Sequence, residues 1–170
     1  MKKMLLGVLL VASTLLYGAE MEYNDDVTAE EAAEMVKKGA LLIDVRSPQE
    51  FLYAGHAVGA VNVPVFFVRI DLPPLETRMK IAKLERKKGK AIHPQKIYRP
   101  MMDENKKFVE EVKKAAGGKL DRTIVVVCRS GERSAYAANK LAKNGFDDVY
   151  NLEGGYIFGW KAAGLPGGGQ

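Results

Sequence analysis

Cysteine is nearly absent from this sequence, in which Cys128 is the one example. A single cysteine cannot form a disulfide within the chain, and no cysteine near the N-terminus could carry a lipid. Histidine is almost as scarce, since only His56 and His93 occur and they are far apart. One thiol and two scattered imidazoles do not make a zinc site. We therefore expect no internal disulfide and no bound metal.

The sequence also lacks an apolar run long enough to cross a bilayer. After Lys3 no charge occurs before Glu20, which leaves sixteen uncharged residues, fewer than the ~20 that a membrane helix needs. A basic start, an apolar centre and the small residues Gly18 and Ala19 are typical of a signal peptide over residues 1–19. We expect cleavage after Ala19 or Gly18, a periplasmic or secreted protein, and no membrane contact after cleavage. An uncleaved anchor is the alternative.

Neither sign of charge dominates. The 170 residues carry 26 Lys and Arg against 21 Asp and Glu, a net charge of +5. So modest an excess gives little support for a polyanionic partner, and we expect no nucleic-acid binding. The excess is uneven, however, because residues 69–107 hold twelve cations and five acids. The rest of the chain is therefore slightly acidic.

Short apolar segments alternate with helical patterns along the chain. Strands are expected near residues 22, 41, 60, 123 and 149, with helices between them. This alternation predicts an α/β fold with one parallel sheet of about five strands and helices on both faces. A chain of this length has room for one such domain. Functional side chains in these sheets lie beyond the carboxyl ends of the strands.

Cys128 stands at such a strand end. The run of four β-branched residues at 124–127 predicts a strand buried on both faces, and the alanine-rich run after Arg133 predicts a helix that ends at Gly145. Loop amides and the first amides of that helix converge at the cysteine and favour an anion there. The cations Arg129 and Arg133 add to this preference for a thiolate. The alternative is a small buried apolar residue without chemistry.

Four segments of the chain resemble the rhodanese-type sulfurtransferases. Cys128-Arg129-Ser130-Gly131-Glu132-Arg133-Ser134 looks like the active-site loop of that family, commonly written C-R-x-G-x-R-S/T. The other three are Leu-Ile-Asp-Val-Arg at 42–46, the stretch 50–64 that includes Gly55-His56 and ends in Asn-Val-Pro, and the stretch 151–166 that begins Asn-Leu-Glu-Gly-Gly. The resemblance implies a rhodanese domain over residues 20–166 and a flexible tail at 167–170.

The resemblance also implies a reaction. A persulfide on Cys128 would carry sulfur from thiosulfate or a polysulfide to a thiophilic acceptor, either a small molecule or a protein, and no other cofactor would be needed. Arg129 and Arg133 would attract the anionic donor. The backbone amides of the loop would hold the terminal sulfur; they belong to Ser130, Gly131, Glu132, Arg133 and Ser134.

Three further residues are interpreted as structural support. Asp44 lies near the end of a buried strand and needs a partner, either Arg46 or a backbone amide. In the family that the chain resembles, this acid and arginine are mainly structural. His56 is a candidate base for Cys128, but we favour a role in fixing its own loop, because a thiolate already stabilised by its surroundings needs no base.

Two other functions compete with sulfur transfer. A cysteine phosphatase or arsenate reductase also places a cysteine loop and an arginine at a helix start. Such loops have five residues between the two, whereas four separate Cys128 from Arg133, and Glu132 would repel a phosphate dianion. The second rival is a non-catalytic sulfur carrier or docking module, in which Cys128 binds sulfur for a partner enzyme. The sequence does not separate this rival from the enzyme.

Residues 65–104 depart from the compact pattern of the family and are interpreted as a basic insertion. Residues 75–88 are compatible with a helix, although Leu75 and Met79 fall on one side of it and Leu84 on the other. A solvated surface excursion is the simplest interpretation. The alternative is a site where a protein acceptor docks.

Overall fold

The computed structural model describes residues 21–169, and the expected signal peptide therefore lies outside the described residues. The strands are β1 (Asp25–Val27), β2 (Leu41–Asp44), β3 (His56–Ala57), β4 (Val61–Asn62), β5 (Phe66–Asp71), β6 (Arg99–Glu104), β7 (Ile124–Val127), β8 (Val149–Leu152) and β9 (Gly167–Gly168). The α-helices are α1 (Ala29–Lys37), α2 (Pro48–Tyr53), α3 (Leu75–Lys87), α4 (Phe108–Ala115) and α5 (Glu132–Ala142). A 3-10 turn covers Pro94–Lys96, and a π-helix covers Gly155–Trp160.

Five strands form one parallel sheet in the order β1-β8-β7-β2-β4. Strand β7 lies at its centre, where Val126 pairs with Ile43 of β2 on one side and with Asn151 of β8 on the other. The predicted parallel sheet of about five strands flanked by helices is therefore confirmed. Because Cys128 directly follows β7, the fold places it at the carboxyl edge of the central strand.

Alternate residues of β7 pack into two separate hydrophobic cores. Ile124 and Val126, like Cys128, pack against α4 and α5, whereas Val125 and Val127 pack against α1 and the π-helix. All four strand residues are fully buried, which is why this strand is apolar throughout instead of alternating. The thiol therefore lies on the face of the sheet that α5 covers.

Two helices begin with the sequence pattern S/T-x-x-E, which is typical of a capping box. Thr28 caps α1 and Ser47 caps α2, and each exchanges hydrogen bonds with the glutamate three residues later in a capping box. These reciprocal contacts satisfy amides that the first helical turn leaves without a partner. In α2 the capping glutamate is Glu50, a residue that also reaches the candidate site.

The structure corrects two predicted details at the ends of the domain. The first strand is Asp25–Val27 and does not include Glu22 or Tyr23. The tail was expected to be flexible, but Gly167 and Gly168 form β9 and pair antiparallel with His56 and Ala57. Side-chain patterns could not indicate this pairing, because both tail residues are glycines and the contact is made by the backbone.

The insertion forms an arm, which we define as residues 66–104. Strands β5 and β6 make an antiparallel ribbon that runs from the pair Phe66 and Glu104 to the pair Asp71 and Arg99. Helix α3 and the 3-10 turn lie at the far end, between the two strands in the sequence. Asn105 closes the base, since its backbone N–H donates to Val65 (2.9 Å) and its side chain to the Pro64 carbonyl (2.9 Å).

No helix within residues 21–169 is both long enough and apolar enough to span a membrane.

Candidate active site

The Cys128 sulfur is held by the loop that joins β7 to α5. The backbone N–H of Gly131 donates to Sγ over 3.1 Å. The Ser134 hydroxyl oxygen lies 3.3 Å from Sγ and 2.9 Å from the Gly131 carbonyl oxygen. That hydroxyl has one proton, so it can donate a hydrogen bond to the sulfur or to the carbonyl but not to both at once. Negative charge on the sulfur would draw the proton toward Sγ.

Gly131 is required by the turn of the loop. Its φ is +105°, a left-handed value that residues with a Cβ avoid, and it is the N-cap of α5. A Cβ there would meet no atom closer than 3.5 Å. Conformation therefore selects glycine at this position, and crowding does not. The turn aims the Gly131 amide at the sulfur.

A clamp from the π-helix fixes the outer side of the same loop. Tyr156 N–H donates to the Cys128 carbonyl over 2.7 Å, and Ile157 N–H donates to the Arg129 carbonyl over 3.1 Å. Gly155 lies so close that a Cβ would come within 2.6 Å of Arg129 C and Ser130 N. These bonds engage two loop carbonyls with the π-helix, while the Gly131 amide donates to Sγ.

Arg133 is anchored by a residue that the sequence analysis did not select. Its two terminal nitrogens donate to the two carboxylate oxygens of Glu50, each over 2.8 Å. Hydrogen bonding from Arg133 lowers the pKa of Glu50, and the carboxylate raises that of Arg133. Neither of the other nearby acids in the sequence, Glu132 next to it and Glu153, forms an ion pair with Arg133. The capping-box pattern gave Glu50 a local role, but no signal in the sequence linked it to a residue 83 positions away.

The remaining loop residues face outward. Arg129, Ser130 and Glu132 are exposed, while Gly131 and Ser134 are buried. Arg129 lines a cavity of about 280 Å³ together with Arg46, Glu50, Ala54 and Ile157. Within residues 21–169 Arg129 has no carboxylate partner, unlike Arg133. The Glu132 side chain makes no hydrogen bond there and can act only through its backbone and its charge.

Asp44 and Arg46 form a buried ion pair below the cavity. Three guanidinium–carboxylate hydrogen bonds of 2.6 to 3.0 Å join them, and the Arg46 backbone N–H also donates to Asp44. Arg46 additionally donates to the Gly55 carbonyl (2.8 Å) and lies over the Tyr156 ring at 4.6 Å. Both partners that the sequence analysis offered for Asp44 are thus present. The pair ties β2 to α2 and the π-helix, a positioning role.

His56 lies away from the thiol. Its Nδ1 donates to the Phe51 carbonyl over 3.0 Å, and its ring stacks on Phe51 with centroids 3.7 Å apart. These contacts hold the loop after α2, and no contact with Cys128 occurs. Among residues 21–169 no three His, Cys, Asp or Glu side chains lie close enough together to bind a metal ion.

Comparison with known proteins agrees with this arrangement. Residues 28–163 match the family model of the rhodanese-like domain. The match covers most of the chain, which therefore belongs to the rhodanese-like family.

Two curated relatives carry a more specific name. The chloroplastic thiosulfate sulfurtransferase 16 of Arabidopsis thaliana is 30% identical over 147 residues, which are 86% of this chain and 95% of the relative. The thiosulfate sulfurtransferase GlpE of Actinobacillus pleuropneumoniae is 32% identical over 74 residues, 44% of this chain and 62% of the relative. Among solved structures, Rv0390 from M. tuberculosis superposes with a TM-score of 0.56 at 23% identity, covering 86% of this chain and 98% of that one. The structural likeness shows the fold alone.

Proposed function

We propose that this protein is a sulfurtransferase that moves a sulfane sulfur from thiosulfate or a polysulfide to a thiophilic acceptor. The observation that carries the proposal is the cradle around Cys128, in which the Gly131 amide donates to Sγ and the Ser134 hydroxyl lies within hydrogen-bonding distance of it. An amide fixed in this way stabilises negative charge on sulfur without reorganising during the reaction. Relatives named thiosulfate sulfurtransferase support the same class of reaction.

The first half-reaction loads the cysteine. The Cys128 thiolate attacks the outer sulfur of thiosulfate, a new S–S bond forms, and the original S–S bond breaks. Sulfite leaves with the bonding electron pair, and the enzyme retains a persulfide. The loop amides then hold the terminal sulfur of that persulfide. Arg129 borders the neighbouring cavity without a carboxylate partner, so it is the cation that meets the anionic donor.

Arg133 has a different role in this scheme. Glu50 occupies its two terminal nitrogens, so the guanidinium is held in place and keeps only its remaining N–H groups for a donor. Arg133 therefore contributes a fixed positive charge beside the loop. We assign attraction of the donor chiefly to Arg129 and electrostatic support of the thiolate to Arg133.

The second half-reaction regenerates the thiolate. A nucleophilic acceptor, cyanide in an assay or a thiol in the cell, attacks the terminal persulfide sulfur. The bond between that sulfur and Cys128 Sγ breaks, and the electron pair returns to Sγ. The products with thiosulfate and cyanide are sulfite and thiocyanate, and no external reductant or oxidant is consumed.

A sulfur carrier that does not turn over is the second candidate. The specific observation in its favour is that Cys128 is fully buried, which suits holding a persulfide more than releasing it quickly. Steady-state thiocyanate production from thiosulfate and cyanide, with Cys128→Ser as the control, separates the two. Repeated turnover supports the enzyme. One equivalent of thiocyanate per chain, with nothing after it, would support the carrier.

We also propose that the protein is exported. The proposal rests on the signal-peptide pattern of residues 1–19. N-terminal sequencing of the protein from a periplasmic fraction tests it. A mature chain beginning at Ala19 or Glu20 is expected, and an uncleaved chain in the cytosol would contradict it.

A further inference from the structure

The arm displays apolar side chains that the rest of the described chain leaves uncovered. Seven of them are more than half exposed: Ile70, Leu72, Leu75, Met79, Leu84, Tyr98 and Met102. Solvated insertions are ordinarily polar, and clustered exposed apolar side chains mark sites of interaction. The sequence interpretation of a plain solvated excursion does not account for them.

A groove lies within this arm between α3 and the 3-10 turn. Its volume is about 550 Å³. Met79, Ala82 and Pro94 supply apolar surface along it. Its charged lining consists of one acid, Glu76, and the three cations Lys80, Lys83 and Arg86. Apolar surface combined with a few charged groups is the usual composition of a binding site.

The groove has a fixed frame. The Arg78 guanidinium, on α3, donates to the Pro73 carbonyl (2.7 Å) just before the helix and to the Pro94 carbonyl (3.3 Å) in the 3-10 turn. Ala82 and Ile97 are buried in the small core of the arm. The arm is therefore a packed unit that presents α3 in one orientation.

Two of the three positive charges on the groove are uncompensated. All five acids of the arm are already bound to cations: Asp71 and Asp103 to Arg69, Glu76 to Lys80, Glu85 to Lys88 and Lys90, and Glu104 to Lys106 and Lys140. In the part of the chain that the structure describes, Lys83 and Arg86 have no carboxylate partner. An occupant that supplies carboxylates would neutralise them.

The base of the arm packs against α5, the helix that follows the Cys128 loop. Phe66 stacks against Tyr136 of α5 with ring centroids 5.3 Å apart, and the Tyr136 hydroxyl donates to Glu104 over 2.7 Å. Tyr136 is one helical turn beyond Arg133 at the Cys128 loop. A partner held by the arm is thereby attached to the same helix whose first turn forms the sulfur site.

We propose that the groove between α3 and the 3-10 turn docks an acidic protein segment that carries apolar side chains, and that this segment belongs to the sulfur acceptor. The inference rests on the proposed sulfurtransferase function. An anionic membrane is a poorer match, because Leu84 lies on the opposite side of α3 from Met79 and the helix offers no single apolar face to a bilayer.

Fluorescence anisotropy of a labelled peptide, titrated with the whole mature protein, tests whether the groove binds acidic segments. The probe is a fluorescein-labelled helical peptide of glutamate, leucine and alanine, and its twin carries lysine in place of glutamate. We expect the acidic peptide alone to bind. The double variant Lys83→Ala with Arg86→Ala should weaken binding by about fivefold or more. The control Lys119→Ala with Lys161→Ala removes the same charge from exposed cations elsewhere and should not.

A second pair of variants separates docking in the groove from diffuse attraction. Met79 and Leu84 are almost equally exposed, at 57% and 56%, and only Met79 lines the groove. Met79→Glu should abolish binding of the acidic peptide, whereas Leu84→Glu should leave most of it. Equal effects of the two variants, or no binding by the wild type, would overturn the proposal. Binding to phosphatidylglycerol vesicles in place of the peptide would also overturn it.

Thiocyanate production by the same variants keeps the two proposals distinct. Because the groove shares no lining residue with the cavity beside Arg129, turnover of thiosulfate with cyanide should match the wild type in every groove variant. If the wild type lacks turnover, the proposed function fails, and the peptide measurements still decide whether the groove binds acidic segments.

Discussion

Glu50 and Arg133 are 83 residues apart in the sequence, and two parallel hydrogen bonds of 2.8 Å join them across the site. The pair links α2 to the first turn of α5, and about a quarter of its surface remains accessible to solvent. Glu50 also belongs to the capping box of α2. One carboxylate therefore starts a helix and fixes the cation beside the candidate nucleophile.

Glu50→Gln should lower the free energy of unfolding by about 1 to 2 kcal/mol at neutral pH, since it removes a partly solvated, charge-assisted pair. The pKa of Glu50 is lowered in the folded protein by Arg133, so this stabilisation is present above the ordinary glutamate pKa near 4.5. It disappears as the pH falls through the lowered value. Urea denaturation from pH 7 to pH 3 should show the difference between wild type and variant narrowing.

Glu31→Gln is the matched control for that measurement, because Glu31 completes the capping box of α1 and binds no arginine. Glutamine keeps a capping box in both helices. A Glu31→Gln variant that destabilises the protein as much as Glu50→Gln would show that capping, and not the contact with Arg133, causes the effect.

Gly155→Ala should disrupt the Cys128 loop. A Cβ at this position would lie 2.6 Å from backbone atoms of Arg129 and Ser130, so the clamp and the loop would have to separate. Gly164→Ala is the control, since Gly164 also has a positive φ, +71°, but an added Cβ would meet nothing within 4 Å. We expect about 1 to 2 kcal/mol of destabilisation for Gly164→Ala, and a larger loss together with loss of turnover for Gly155→Ala. Equal stability and equal turnover in the two variants would contradict the clamp.

Ser134→Ala should slow thiosulfate turnover by about tenfold or more, because a hydrogen bond to a charged sulfur is worth about 1.5 to 3 kcal/mol. Ser134→Thr keeps the hydroxyl and should retain much of the activity. Measuring turnover and urea stability together decides the role. A Ser134→Ala variant that loses stability but keeps its rate would mean that the hydroxyl only supports the Gly131 carbonyl.

Asp44→Ala should destabilise the fold by about 3 to 5 kcal/mol, because Arg46 would remain buried without its carboxylate. Replacing both residues with apolar ones, Asp44→Leu with Arg46→Met, should cost less than the single change. Urea denaturation of the two variants provides the comparison. If the double variant were the less stable one, the ion pair would stabilise the fold by more than the neutralisation of each buried charge by the other.

Shortening the arm should leave the chemistry intact. Val68 pairs directly with Met102, so residues 69–101 can be replaced by Asn-Gly as a two-residue hairpin turn. This variant keeps Phe66 and Glu104, which contact α5. Turnover of thiosulfate with cyanide should remain near the wild-type rate. Loss of turnover in a folded variant would show that the arm forms part of the sulfur site.

The sequence predicted the features that are encoded locally. Strand Ile124–Val127, helix α5 after the Cys128 loop and the two capping boxes occur where their patterns indicate. Each depends on neighbours within a few positions. The same locality made the strand end at Cys128 recognisable.

The missed features depend on distant partners. No residue near Glu50 in the sequence indicates that Glu50 binds Arg133. Likewise, no residue near Gly155 indicates that its backbone packs on the Cys128 loop. The ribbon of β5 and β6 was also missed, since its pairing joins residues about 30 to 40 positions apart. These contacts are set by the packing of the whole sheet, which no short window of sequence contains.

Intact-protein mass spectrometry after treatment with thiosulfate tests the central claim most directly, namely that Cys128 carries the transferred sulfur. The wild type should gain the mass of one sulfur atom, and cyanide should remove that gain with release of thiocyanate. Cys128→Ser should gain nothing under the same conditions. Stable addition of sulfur to Cys128→Ser, or thiocyanate production by a wild type that never gains sulfur, would contradict the account.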